Sequence, residues 1–385
     1  MNRETNKFIL ACNWDWSLLE FITQYPVHTL YGKKKVDIVG GGRASAILPD
    51  ISDKDCANYI RCVRDKGIQW NYLLNAPCLG NREFDQGFNN KLFDFIQWLV
   101  DIGVSAVTVA SPYLLRFVKS HWPELHVSIS KFARINSVQR ALFWQSLGAD
   151  QITLDLNINR DFSLLSQIRK AITIDMVLLV NDACIYQCPF ELYHSVISGH
   201  ASQNDKAPYI SYCSLHCRYI MAKNPAEIIR SRFIRPNDLS EYTQLGFNRF
   251  KIVDRFKKTN WLINVLKAYS QQSYSGNLAD ILGRFETYAP VNFDQSSWHH
   301  STFDFDVYIE NDKLNGFLEY FKQIDCNKIA CDIDCHYCQN MADNSVHWIN
   351  PEKQDETLKL LDQTLKDIDL GHVCTPERSI KHHND

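Results

Sequence analysis

HVSISKFARINSVQRALFWQSLGADQITLDL, residues 126–156, is the stretch on which the fold turns. It opens with an apolar run at 126–130, passes through a polar link into a helix-like segment at 138–147, reaches Gly148 and ends in a second apolar run at 151–156. Short aliphatic runs bounded by turn formers read as buried strands, and a helical segment closed by glycine reads as a helix with a left-handed end. Strand, helix and strand within about thirty residues make one β-α-β unit, which favours parallel pairing.

The unit repeats in both directions. Strands are expected at 8–13, 28–33, 70–76, 106–111, 126–130, 151–156, 176–181 and 250–254, with helices at 53–65, 92–101, 138–147 and 162–171, and Gly67, Gly103 and Gly148 as helix ends. Eight strands in regular alternation predict an α/β fold of the TIM-like (β/α)8 barrel type. An open doubly wound sheet ordinarily carries a Gly-rich phosphate turn after its first strand, and here that turn reads Asn13-Trp14-Asp15-Trp16.

The spacing breaks at about 182–235, a Cys- and His-rich insertion ahead of a helix at 236–245. Barrel enzymes keep their chemistry beyond the carboxyl ends of strands, which is where this insertion falls. A helix at 259–271 follows, and a domain change is placed near Asn277. Residues 1–276 then form the barrel with its insertion. Residues 277–385 form a small C-terminal region with a loop-like aromatic tract at Trp298, His299 and His300 and a charged tail after Gly371, expected to be mobile.

With 385 residues, 45% of them hydrophobic, the chain can bury a core without disulfides, so size does not explain its 13 cysteines. The polar start and the lack of any long apolar run predict a cytoplasmic protein with no membrane partner. A net charge of -3 does not indicate nucleic acid as a partner. In a reducing compartment cysteines serve as ligands, nucleophiles or small buried groups, and their spacing decides among these.

Cys184, Cys188, Cys213 and Cys217 form two Cys-x3-Cys pairs. A spacing of four puts both sulfurs of a pair on one face of a helical turn, so each pair can supply one edge of a thiolate site. Iron-sulfur clusters and zinc both accept four thiolates; the x3 spacing at a barrel mouth favours iron-sulfur. Four buried, unligated thiols are the bland alternative. His194, His200 and His216 lie nearby as replacement ligands or outer groups.

Cys326, Cys331, Cys335 and Cys338 form a second quartet, expected to be a second metal site, zinc or iron-sulfur, against the alternative of reduced surface thiols. Its Cys-x3-Cys-x2-Cys end resembles the cluster motif of radical S-adenosylmethionine enzymes. That family places the motif after the first barrel strand, whereas here only residues 339–385 follow it. Of the single cysteines, Cys56 and Cys62 are expected to be buried, Cys12 and Cys78 end strands, and Cys374 sits in the tail.

Strand carboxyl ends supply the candidate pocket: Asn13, Asp15, Arg43, Asn75, Ser130, Lys131, Asp155, Asn157, Asn181, Lys251, Asp254 and Arg255. Asp155 is the candidate general base, while Arg43 and Arg255, with Lys131, are the candidate catalytic cations for an anionic substrate. Many barrel-end charges only cap helices or pair. Gly40-Gly-Gly-Arg43 would let backbone approach a ligand, although a tight loop explains it nearly as well.

The layout resembles the peptidase U32 family over about the first 270 residues. Phe8-Ile-Leu-Ala-Cys-Asn-Trp-Asp is similar to its opening strand and turn, and residues 126–131 with Ala133, Arg134, Ile135 and Asn136 to its fifth strand and following helix start. Val180-Asn-Asp-Ala-Cys184 resembles its cluster strand, and Phe233-Ile-Arg-Pro-Asn-Asp and Phe250-Lys-Ile-Val-Asp-Arg its closing helix and eighth strand. Cys184-Ile-Tyr-Gln-Cys188 stands where the family has a Cys followed by Gly-x-Cys.

Members of that family include oxygen-independent hydroxylases that hold a four-iron cluster through four cysteines. The resemblance therefore implies a [4Fe-4S] cluster on the first quartet and a redox enzyme, a hydroxylase or related modifier of a small molecule, base or peptide. A U32-like peptidase is the alternative, although neither His-Glu-x-x-His nor Gly-x-Ser-x-Gly occurs. A noncatalytic, metal-stiffened module docking a protein partner is the third reading.

Overall fold

The computed structural model describes residues 6–204, 209–285 and 305–372. Trp298, His299, His300, Cys374 and the tail beyond residue 372 lie outside these. Eight parallel strands close into a barrel in sequence order: β1 (Lys7–Ala11), β2 (Val27–Gly32), β3 (Gln69–Leu74), β4 (Ala106–Val109), β5 (His126–Ile129), β6 (Gln151–Thr153), β7 (Asp175–Leu179) and β8 (Arg249–Ile252). Closure comes from β1 pairing with β8, Ile9 opposite Lys251.

All eight expected strands are present, and each ends one to three residues before its expected end. The apolar run continues past the last ladder hydrogen bond because the chain there bends over the barrel mouth, burying apolar side chains without pairing backbone. Alternation sends Leu73, Thr153, Leu179, Lys251 and Tyr31 into the mouth. Below them the same phase places paired polar groups inside the barrel. Thr29 donates to Gln69 at 3.1 Å, Thr108 to Asn71 at 2.8 Å and Ser128 to Gln151 at 3.0 Å, so these buried groups stay satisfied.

The helices form where their stop signals stand. Asp53–Asp65 is capped by Ser52, which accepts from the Asp55 N–H at 3.1 Å, and buries Cys56, Tyr59, Ile60 and Val63 along one face. Gly67, Gly103 and Gly148 adopt φ of 72°, 92° and 97°, the left-handed ends that a side chain would strain. The helix expected at 92–101 begins at Gln86, capped by Asp85; its polar first turn hides it from apolar periodicity. The helix expected at 236–245 starts as a 3-10 turn, Pro236–Asp238, and continues as Leu239–Gln244.

Between β7 and β8 the insertion folds into helices Glu191–Ala201, Tyr212–Lys223 and Ala226–Arg230. Helix Pro351–Asp369 packs on Tyr212–Lys223 through Leu361 and Leu365 against Leu215. A two-stranded ribbon, β9 (Val307–Ile309) antiparallel to β10 (Val346–Trp348), follows the barrel. Phe317, Leu318 and Phe321 belong to the same apolar core as the barrel, and buried Arg235 donates to the Asn311 carbonyl at 2.8 Å. None of the described helices is long and apolar enough to cross a membrane.

Candidate active site

At the carboxyl ends of the strands a small cavity of about 70 Å³ opens. Arg43, Asn75, Ser130, Lys131, Lys251, Asp254 and Arg255, all named from strand ends, line it together with Tyr31, Gly42, Phe132, Thr153 and Asp182. Arg43 donates through Nε to Asp254 at 2.8 Å and through a second nitrogen to the same oxygen, which fixes the guanidinium in one plane. The Nη1 of Arg255 is buried and has no hydrogen-bond partner.

Two lysines in the cavity differ. Burial opposes charge on Lys131, yet Asp182, 3.2 Å from its Nζ, holds its pKa above the usual range. Lys251 makes no ion pair among the described residues and lies 4.0 Å over the Tyr31 ring. Burial, then the charges of Arg255 and Lys131, lower it to about 7. An amine so placed is neutral for much of the time near neutral pH.

Asp182 joins this cavity to the first quartet. Burial alone would raise its carboxyl, but Arg284, Lys131 and Arg43 hold it far below the carboxylate range, with Arg284 Nε at 3.0 Å. Cys184 follows two residues later and lies within the field of Arg284, Lys131 and Asp182. Cys213 and Cys217 occupy successive turns of Tyr212–Lys223, as their spacing required, and are buried with Cys188; Cys184 and Cys188 lie instead in the irregular loop between β7 and helix Glu191–Ala201, so the helical turn expected for that pair is absent. A hydrogen bond from Cys217 is the main influence bringing Cys188 down to about 7, and the thiol of Cys217 rises correspondingly. Arg284 bears on all four thiols.

Among the described residues, no group of three or more His, Cys, Asp or Glu closes to the spacing of a single-ion site. The donor set itself fits a soft metal centre by its chemistry: four thiols that influence one another electrostatically, beside the Arg284 guanidinium. His194 is lowered to about 3 by burial, then by Arg284 and Arg43. His216 stacks on Phe190 at 4.9 Å, and His200 is exposed.

Other candidates fall outside the cavity. Asp155, the expected base, accepts from the Asn157 N–H at 2.9 Å as a cap; its Oδ2 is buried without a hydrogen bond, with Arg134 3.9 Å away. Asn157 accepts from the Gln187 N–H. Asn13 and Asp15 tie the first turn to Thr259, and Asn181 cross-links β7 to β8 through the Val253 backbone. The glycine run is explained mostly by packing. A Cβ at Gly40 would meet Ser202 at 2.5 Å and one at Gly42 the Phe132 ring at 2.5 Å; only Gly42 and Arg43 of the run reach the cavity. Cys12 is buried with its thiol pushed up to about 12 by burial, so it is inert.

Asp182 and Arg284 were not anticipated. Asp182 sits inside the quoted Val180–Cys184 motif, where its place directly after an apolar strand was the available signal. Arg284 arrives from beyond the expected domain change, and nothing local marks it.

The model of peptidase family U32 matches residues 31–277. The chain is 30% identical over 314 residues to the uncharacterized protease MJ1657 of Methanocaldococcus jannaschii, covering 80% of this chain and 86% of that protein. The solved structure of the U32 peptidase Mk0906 superposes with a TM-score of 0.50 at 20% identity, over 65% of this chain and 93% of that one, a likeness of fold.

Proposed function

This chain belongs to peptidase family U32, and on that premise we propose that it is an iron-sulfur-dependent redox enzyme, a hydroxylase or related modifier that works without molecular oxygen. The observation that supports the reading is that Cys184, Cys188, Cys213 and Cys217 lie within one another's electrostatic influence and that of Arg284, next to Asp182 and Lys131 on the cavity wall. These four residues would hold the cluster, which supplies single-electron exchange when bound. The chain's own groups do the rest. Arg255 offers a free N–H to an anionic or carbonyl group of a small molecule, base or peptide. Lys251 is poised to take up or release a proton. Phe132 and Gly42 shield one side from water.

Anaerobic purification tests this. The expected protein is coloured, absorbs in the sulfur-to-iron charge-transfer region, and loses that band in a Cys184→Ser/Cys188→Ser variant. A colourless protein holding only zinc overturns it.

The words protease and peptidase in the names of its relatives support a second reading, peptide hydrolysis. Cleavage of a peptide panel that survives replacement of all four cysteines would favour it.

A further inference from the structure

The second quartet lies outside the barrel mouth, in a setting that the first does not have. Cys326, Cys331, Cys335 and Cys338 lie along the loop that leads into helix Tyr337–Ser345, where a backbone bridge joins Cys331 to Cys335 and Cys326 bears electrostatically on Cys331 and Cys338. Three arginines crowd them. Arg232 bears on Cys326, Arg230 and Arg232 bear on Cys331, and all of Arg160, Arg230 and Arg232 bear on Cys338.

These guanidiniums are 2%, 6% and 5% exposed, and each has a buried Nε without a hydrogen-bond partner. Arg160 is further enclosed by Phe233, Phe317 and Phe321, with ring centroids 4.7 to 5.1 Å away. Three like charges buried together are unfavourable unless negative charge balances them. Apart from the thiols, Glu227 and Asp332 on Arg230 are the carboxylates paired with them. Four thiolates around a metal centre supply the balance.

This quartet also touches the first. Tyr186 lies between Cys184 and Cys188, its ring is 3.8 Å from the Arg232 guanidinium, and its hydroxyl donates at 3.1 Å to Asn327, the neighbour of Cys326. Cys331 is exposed whereas Cys188, Cys213 and Cys217 are buried. The outer quartet therefore has a fully exposed edge, the first has only the half-buried Cys184, and Tyr186 reaches from the loop of one to the surroundings of the other.

We propose that Cys326, Cys331, Cys335 and Cys338 hold a second iron-sulfur cluster, charge-balanced by Arg160, Arg230 and Arg232 and joined to the first quartet through Tyr186. Electrons taken from the substrate at the first cluster leave one at a time from the solvent edge of the second to an external one-electron acceptor, which is reduced as the cluster is reoxidised. The assignment of a redox pair rests on the iron-sulfur reading of the first quartet. The site itself does not.

Full-length protein, purified anaerobically and reconstituted with ferrous iron and sulfide, tests both. Wild type should bind about eight irons per chain, and Cys331→Ser/Cys335→Ser and Cys184→Ser/Cys188→Ser about four each, as two four-iron clusters require. After dithionite reduction each variant should lose a different component of the paramagnetic resonance spectrum.

Zinc released from the second quartet, or an iron count unchanged in Cys331→Ser/Cys335→Ser, overturns the proposal while leaving the first site standing. Iron at the second quartet alone overturns the reading of the first. Should the double variant not fold, Cys331→Ala at the exposed thiol should lose about one iron and give a three-iron signal; an unchanged spectrum overturns the proposal. Tyr186→Leu should keep its iron and slow dithionite reduction of the first-quartet component. An unchanged rate overturns the link.

Discussion

The two cysteine quartets are built from the same donor and differ in everything around it. At the barrel mouth, the loop after β7 and one helix carry four sulfurs beside a single guanidinium, Arg284, which is paired with Asp182. Outside the barrel, four sulfurs on a loop and helix start face three guanidiniums with unanswered nitrogens. The guanidinium beside the mouth thiols thus has a carboxylate partner of its own, whereas the outer site gains most from a bound centre. Burial separates them too: the mouth quartet sits beside the cavity at the strand ends, while the outer quartet has the exposed Cys331.

The largest effects should break the comparison outright. Cys184→Ser/Cys188→Ser removes two thiols behind the cavity, and turnover of any redox substrate should vanish while far-ultraviolet circular dichroism is retained. Retained turnover would show that the mouth quartet is structural. Next comes Asp182→Asn, which leaves Lys131 and Arg284 buried without their carboxylate. Breaking one partner of a buried ion network costs about 3–5 kcal/mol, read as a lower urea midpoint at constant slope. A change under about 1 kcal/mol would mean that the cations find water instead.

Arg160→Met probes the outer site, where the sign depends on loading. Its guanidinium is lowered to about 10 by burial, then by Arg232, so in metal-free protein its removal relieves repulsion and should leave stability within about 1 kcal/mol of wild type despite the lost bond to the Ile229 carbonyl. Metal affinity at the second quartet should instead fall about 10–100-fold, the usual effect of an outer-shell change. Equal affinity by competitive chelation would remove the charge-balance argument.

How much of this was legible in the sequence follows from how local each feature is. Helices 53–65, 162–171 and 259–271 were readable to the residue because caps and apolar faces are written within the segment itself. Strand ends were read too long, because an apolar residue over the mouth and one in the ladder look alike in sequence. Cys213 and Cys217 were found because helical spacing is a local property. Arg284 was not, since it reaches the thiols from another part of the chain. Asp155 shows the opposite error. A carboxylate after a strand is equally a base or a cap, and only coordinates show its Oδ1 accepting from Asn157.

The smallest effect separates two lysines in one cavity. Lys131 keeps its charge because Asp182 faces it; Lys251 has no such partner among the described residues and titrates near 7 rather than its ordinary 10.5. Between those values the unfolded chain binds the extra proton, so stability from this group rises with pH from about 7 to 10.5, and below 7 the penalty for charging the amine is fully present. Lys251→Met keeps similar bulk without the amine. It should raise the unfolding midpoint at pH 6, where the penalty is complete, and change it little at pH 10. Because Lys251 is only half-buried, screening should hold the difference to about 1 kcal/mol, measurable in paired urea titrations. Equal shifts at both pH values would show that packing, and not the missing carboxylate, distinguishes this lysine from its neighbour.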